Sequence, residues 1–179
     1  MKLRILADQL AAASINLDGL RAEIKLGLRF DEIEVHEVGD RYGDYQVGGA
    51  VNPRGLMVPY NDRKSDDLLR VILTGYELRT PDRGNMPAMS RAGVATVVST
   101  QRLQGAVTQV ATATIHGLFH QVRTIKPDAP QHDPRNPGHC KNRCVMRPVE
   151  NLGALRRVAD DWSRGHRLCS QCVGLLRSK

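Results

Sequence analysis

The stretch ATATIHGLFHQV, residues 111–122, carries His116 and His120 four positions apart in an otherwise apolar run. Residues four apart on a helix lie one above the other on the same face. From about Gln104 to Ile125 the positions Val107, Ala111, Ile115, Leu118 and Val122 recur at spacings of four and three, which predicts a helix with one core stripe. The two imidazoles fall off that stripe, so a histidine face distinct from the core face is expected. Two histidines so placed can hold one zinc ion from a single helix. Zinc needs at least one further protein ligand, and the downstream candidates are His132 and His139. The pair alone is a short pattern that chance also produces, so its surroundings decide the reading.

Upstream, NLDGLRAEIKLGL (16–28) has mostly helical spacing, with Asn16 or Asp18 as its cap, and DEIEVHEVG (31–39) alternates like a half-buried strand. His36 in that strand reads as an ordinary surface histidine. Residues 39–67 are rich in Gly, Asn, Pro and Asp and read as loop, with a short strand expected around GLMVPY (55–60). LLRVILTGYEL (68–78) is a strong β run, RTPDRGNMPAMSRAG (79–93) reads as loop, and VATVVST (94–100) reads as a buried strand. Downstream, Lys126-Pro127 should end the histidine helix, because the residue before proline is driven out of helical geometry. A loop with four prolines between 127 and 137 follows. ENLGALRRVADDWSRG (150–165) then reads as a helix with Leu152, Leu155, Val158, Ala159 and Trp162 on one side.

The 179 residues include 41% hydrophobic ones, enough for a core, but only two Phe, four Tyr and one Trp. Aliphatic side chains must do most of the packing. No run reaches the ~20 apolar residues of a membrane helix, and the apolar stretch before Asp8 is too short for a secretory signal. A soluble cytoplasmic protein is expected. The net charge of +7 arises wholly after residue 120, where 12 Lys/Arg face 5 Asp/Glu; residues 1–120 balance at 14 each. Such a basic tail suits either a nucleic-acid or acidic partner, or a solvated surface.

That tail holds all four cysteines, Cys140, Cys144, Cys169 and Cys172, as C-x-x-x-C and C-x-x-C pairs separated by 24 residues. Short-spaced pairs suit a tetrahedral metal, since each pair chelates from one turn. In a reducing compartment four thiolates favour structural zinc over disulfides. His166, near the second pair, reads as a basic surface residue.

These residues together resemble the archaemetzincins. That family carries H-E-x-x-H-x-x-G-x-x-H on and after its zinc helix, a cysteine directly after the third histidine, a further cysteine in C-x-M, and a distal C-x-x-C. The chain has HGLFH at 116–120, GHCKNRCVM at 138–146 and CSQC at 169–172 in that order. VATVVSTQRL (94–103) resembles the strand and turn before the family's zinc helix, and ILTGYEL (72–78) an upstream strand. The resemblance spans about residues 70–172, and the first 70 residues match little. It implies an α+β fold with an α/β-like upper lobe (1–125), a metzincin-like twisted mixed sheet with a zinc-binding helix, and a small zinc-stapled C-terminal lobe (126–179). It implies two zinc ions per chain: one on His116, His120 and His139, over a Met-turn methionine at Met146, and a structural one on the four cysteines. It also implies a peptide or protein substrate.

The departures bear on activity. Gly117 stands where the family has its general-base glutamate, Arg123 where it has the turning glycine, and Lys126, not histidine, sits six after His120. His139 comes 19 residues after His120, so a proline-rich insertion must loop out and return; His132 is the alternative third ligand. Glycine at 117 is expected to leave a small recess beside the metal. Three readings follow: a degenerate member that binds zinc and peptide without cutting, a site in which Asp133 from the insertion replaces the base, or a histidine pair without metal. The rival reading is a basic four-cysteine zinc module, with KNRCVMR and LRRVADDWSRGHR contacting nucleic acid or a protein partner.

Overall fold

The computed structural model describes residues 1–39, 45–61, 68–122, 125–149 and 151–177. Its frame is a twisted mixed sheet. Strands β1 (Lys2–Asp8), β2 (Glu32–Val38), β5 (Leu68–Thr74) and β9 (Ala95–Ser99) run parallel, and β8 (Ala88–Arg91) closes one edge antiparallel to β9, in the order β2-β1-β5-β9-β8. A smaller sheet holds β3 (Gln46–Val47), β4 (Ala50–Val51), β6 (Glu77–Thr80) and β7 (Gly84–Met86) in the order β3-β4-β6-β7. The central parallel strands are buried on both faces and so read as continuous apolar runs. Strand parity sorts them: Leu3, Ile5, Ala7, Leu69, Val71 and Leu73 join one core cluster, while Leu6 and Ile72 join the second, with Val51, Leu56, Met57 and Leu78.

The first core is covered by α2 (Leu17–Gly27), α4 (Val107–Val122) and α5 (Leu152–Ser163). Asn16 caps α2 by accepting from the Gly19 N–H at 2.9 Å. Trp162 on α5 is fully buried, its Nε1 donating to Glu23 at 2.7 Å. Gly27 admits that ring, since a Cβ there would lie 2.3 Å from Trp162 Cη2. Short helices α1 (Gln9–Ser14), α3 (Pro53–Met57) and α6 (Ser170–Arg177) complete the chain. No helix among the described residues is long and apolar enough to cross a membrane.

Several expectations need correction. Residues 55–60 are not a strand: Asn52 accepts from the Arg54 N–H, Pro53 takes the first helical position, and the chain runs through α3 into a 3₁₀ turn at Val58–Tyr60. The β run at 68–78 breaks into two strands of different sheets. At the break, Gly75 passes so close to Leu10 that a Cβ would lie 2.2 Å from Leu10 Cβ. The expected loop 79–93 contains β7 and β8, which Pro87 and the small polar residues disguised. The histidine helix is also not buried along one stripe. Residues 110–115, 117–119 and 121 are all buried, because the helix packs against α2, α5, β8 and β9. Arg123 lies outside the described residues.

Asp8 fastens the frame. It is 1% exposed, and its carboxylate accepts from the Ala11 N–H at 2.6 Å and from the Gly75 N–H at 3.0 and 3.1 Å. An Asp8→Ala change leaves two N–H groups without acceptors and is expected to lower unfolding stability by about 2–4 kcal/mol in chemical denaturation. Asp8→Asn, which keeps one oxygen, should cost about half as much.

Candidate metal centre

His116 and His120 project from one side of α4 and meet His139, delivered from the far end of the proline-rich loop. The ring centroids are 4.8 Å (116–120), 5.3 Å (116–139) and 4.9 Å (120–139) apart, and one nitrogen of each ring lies within 4.8 Å of the others. The long detour returns because an isolated antiparallel bridge pairs Ile125 with Gly138, closing the loop at its base. Inside it the Asp133 N–H donates to the His139 carbonyl at 2.9 Å.

The hydrogen bonds fix the tautomers. His116 Nδ1 lies 2.9 Å from the Val145 carbonyl, and His139 Nδ1 lies 3.2 Å from that of Pro137. A carbonyl only accepts, so both rings donate from Nδ1, which makes Nε2 of each the atom that would face a metal. His116 Nε2 and His120 Nε2 are 3.2 Å apart. Two nitrogens at zinc-ligand distance on a tetrahedron would be about 3.4 Å apart, so the pair fits a zinc ion. Burial, and then repulsion from His120, holds His116 down at about 3. Burial, and then repulsion from His139, holds His120 at about 4. Both are therefore neutral, with open lone pairs, at neutral pH.

The second cluster follows immediately in the chain. Cys140, Cys144, Cys169 and Cys172 bring their sulfurs within 4.8 Å of one another, with Cys140–Cys169 at 3.8 Å and Cys144–Cys172 at 4.0 Å. A tetrahedron of sulfurs about zinc has edges of about 3.8 Å. Without a cation, burial pushes the Cys140 thiol up to about 12, while the hydrogen bond shared with Cys172 draws Cys144 down to about 5. Four thiolates cannot share this space unless a positive ion sits among them. The histidine and cysteine clusters could each hold a zinc ion.

Other sequence candidates stay away from the triad. His132 is not in it; its Nε2 is buried without a hydrogen-bond partner. Asp133 spends its carboxylate on its own loop, accepting from the Arg135 N–H at 2.9 Å and Asn136 Nδ2 at 3.1 Å. Met146 is fully buried beside Val145, whose carbonyl holds His116. Arg143 and Arg147, two of the basic residues in KNRCVMR, are drawn onto Asp161, with Arg143 Nε at 2.9 Å and Arg147 Nη2 at 2.8 Å.

The triad opens on a cleft of about 910 Å³ lined by α4, β8 and the start of α5. Gly117 faces it, but no recess exists there. A Cβ at 117 would lie 2.3 Å from Thr96 Cγ2, 2.5 Å from Ser90 Oγ and 2.8 Å from Thr96 Oγ1. Those hydroxyls bond each other at 3.0 Å, and Gln121 Nε2 donates to Thr96 Oγ1 at 2.6 Å. The direction a side chain would take from 117 is occupied by a closed hydroxyl–amide network. Sequence reading missed Ser90 and Thr96, since nothing in the local pattern marks two strand hydroxyls as neighbours of a helix glycine.

The chain matches no family model and no curated protein. Among solved structures its fold is similar to archaemetzincin from Methanopyrus kandleri, at 21% identity and a TM-score of 0.69, over 99% of this chain and 93% of that one. Archaemetzincin from Archaeoglobus fulgidus complexed with malonate matches at 17% identity and 0.64, over 97% and 99%. A zinc-dependent peptidase from Methanocorpusculum labreanum matches at 15% and 0.60, over 98% and 100%. The chain has the archaemetzincin fold, and the likeness includes the first 70 residues, which supply β1 and β2 of the main sheet.

A Gly117→Ala change is expected to lower unfolding stability by about 1–3 kcal/mol, because Thr96 is β-branched and cannot swing away freely. In a Thr96→Ala background the same change should cost markedly less. A double-mutant cycle in denaturant measures the difference.

Proposed function

We propose that the chain is a zinc metallopeptidase-like protein: His116, His120 and His139 hold one zinc in a peptide cleft, and Cys140, Cys144, Cys169 and Cys172 hold a structural zinc. We assign it low or absent peptidase activity. The observation that carries this reading is the convergence of three imidazoles, two with defined Nδ1–H tautomers, on the floor of a cleft bordered by a free strand edge.

Each part of the chain has a role in this reading. Zinc on the three imidazoles would polarise a carbonyl oxygen and acidify water beside it. The Val145 carbonyl orients His116 and raises its basicity toward the metal. Among the described residues strand β8 pairs only with β9, so its other edge offers backbone N–H and C=O groups to an extended peptide. The four-cysteine site leaves no position for water, so its role is to hold residues 140–172 together.

What the described cleft lining lacks is a carboxylate to accept a proton. Gly117 has no side chain, Asp133 is engaged in its own loop, and no Asp or Glu is among the described residues lining the cleft. General acid–base transfer contributes on the order of 10²–10⁴-fold, so its loss leaves binding while removing most of the rate. In the two-lobed division proposed with this reading, 1–125 and 126–179, the cleft runs between the lobes.

Elemental analysis tests the metal assignment. The expected result is two zinc ions per chain, falling to one in His120→Ala with the fold retained by circular dichroism. One zinc in the unaltered protein, unchanged in His120→Ala, would remove the histidine site. Peptide hydrolysis should be weak or undetectable. Gly117→Glu should not restore it, because Thr96 and Ser90 occupy the space; chelator-sensitive cleavage by that variant would overturn this account of the lost activity.

A further inference from the structure

The cleft lining carries four arginines: Arg54 from α3, Arg83 from the β6–β7 turn, Arg91 at the end of β8 and Arg102 after β9. Apolar side chains line it as well, among them Met86, Met89, Leu152 and Leu155. Two carboxylates stand behind the arginines. Asp82 accepts from Arg54 Nη2 at 2.8 Å and lies 3.9 Å from Arg83 Nε, and Glu77 lies 3.2 Å from Arg102 Nη1. Neither carboxylate lines the cleft. Four guanidiniums against two carboxylates leave two positive charges over. Arg54 and Arg102 hold the close contacts with those carboxylates, so the surplus falls on Arg91, which meets the neutral Asn61 Oδ1 at 2.8 Å, and on Arg83, 3.9 Å from a carboxylate that Arg54 already engages.

We propose that the cleft selects an acidic peptide segment, whose carboxylates meet Arg83 and Arg91 while the strand lies along the edge of β8. The inference rests on the peptide-cleft reading above and adds the substrate class. A guanidinium fork pairs bidentately with a carboxylate, and such charge-assisted bonds are about twice as strong as neutral ones. A cleft lined by one sign of charge also concentrates ligands of the opposite sign. The apolar side chains of the lining fit aliphatic residues interleaved with the acidic ones, since successive side chains of an extended strand point opposite ways. A peptide is favoured over a nucleic acid because the cleft offers an open strand edge and its described lining contains no Phe, Tyr or Trp on which bases could stack.

Fluorescence anisotropy on the full-length, metal-replete protein tests the proposal with two labelled peptides of equal length and apolar content. One carries Asp and Glu, the other Asn and Gln at the same places. The acidic peptide should bind about tenfold or more tightly, and the preference should shrink as salt rises. It should nearly vanish in an Arg83→Gln/Arg91→Gln variant, whose fold is checked by thermal denaturation. Equal binding of both peptides, lost from each in His116→Ala, would overturn the acidic preference and leave the peptide cleft standing. Binding of neither peptide would overturn both readings. Displacement of the acidic peptide by a short oligonucleotide at lower concentration than by unlabelled peptide would assign the arginines to nucleic acid and overturn the proposal.

Discussion

The close approach of the histidine helix to the sheet at Gly117 is the constraint on which the site depends. With no Cβ there, α4 settles directly on the hydroxyls of Ser90 and Thr96. That contact fixes how high the helix rides over β8 and β9, and so where His116 and His120 emerge. Gln121, one turn further along, reinforces it by donating to Thr96 Oγ1 and to the Arg70 carbonyl at 2.9 Å. The glycine costs helix propensity, of order 1 kcal/mol relative to alanine. Burial of the surrounding helix on nearly every side offsets that cost many times over.

The third imidazole is delivered by different means. His139 sits on a loop, where backbone position is set by hydrogen bonds rather than by helix packing. The Ile125–Gly138 bridge closes the loop before it, and the Cys140 N–H donates to the Met146 carbonyl at 2.9 Å directly after it. Between these two ties His139 has little freedom. The Val145 carbonyl, one residue before Met146, reaches back to His116. The segment 144–146 thus touches both clusters: Cys144 belongs to one, and Val145 orients the other.

Legibility in the sequence followed chain locality. The helix pair His116/His120 and the two cysteine pairs are short-range patterns, and they could be read directly. The choice of His139 over His132 rests on the adjacent Cys140, although only six residues, two of them prolines, separate the candidates. What escaped were features decided across the fold. Strand β8 has small, polar and methionine residues with no clean alternation, and its strand state comes from pairing with β9. Strand β1 is seven residues of mixed character beside the N-terminus, yet it lies between β2 and β5 in the sheet. The packing at Gly117 depends on two side chains more than twenty residues away in sequence. The cleft arginines likewise gather from across some fifty positions of the chain, with no run of basic residues to announce them.

The direct peptide bond between His139 and Cys140 couples the two clusters mechanically. Any disturbance of the sulfur cage, by an oxidant or a competing thiophilic ion, pulls on the residue that completes the imidazole triangle. The cage therefore acts as a foundation stone for its neighbour: none of its four cysteines lines the cleft, yet it sets where the third imidazole stands.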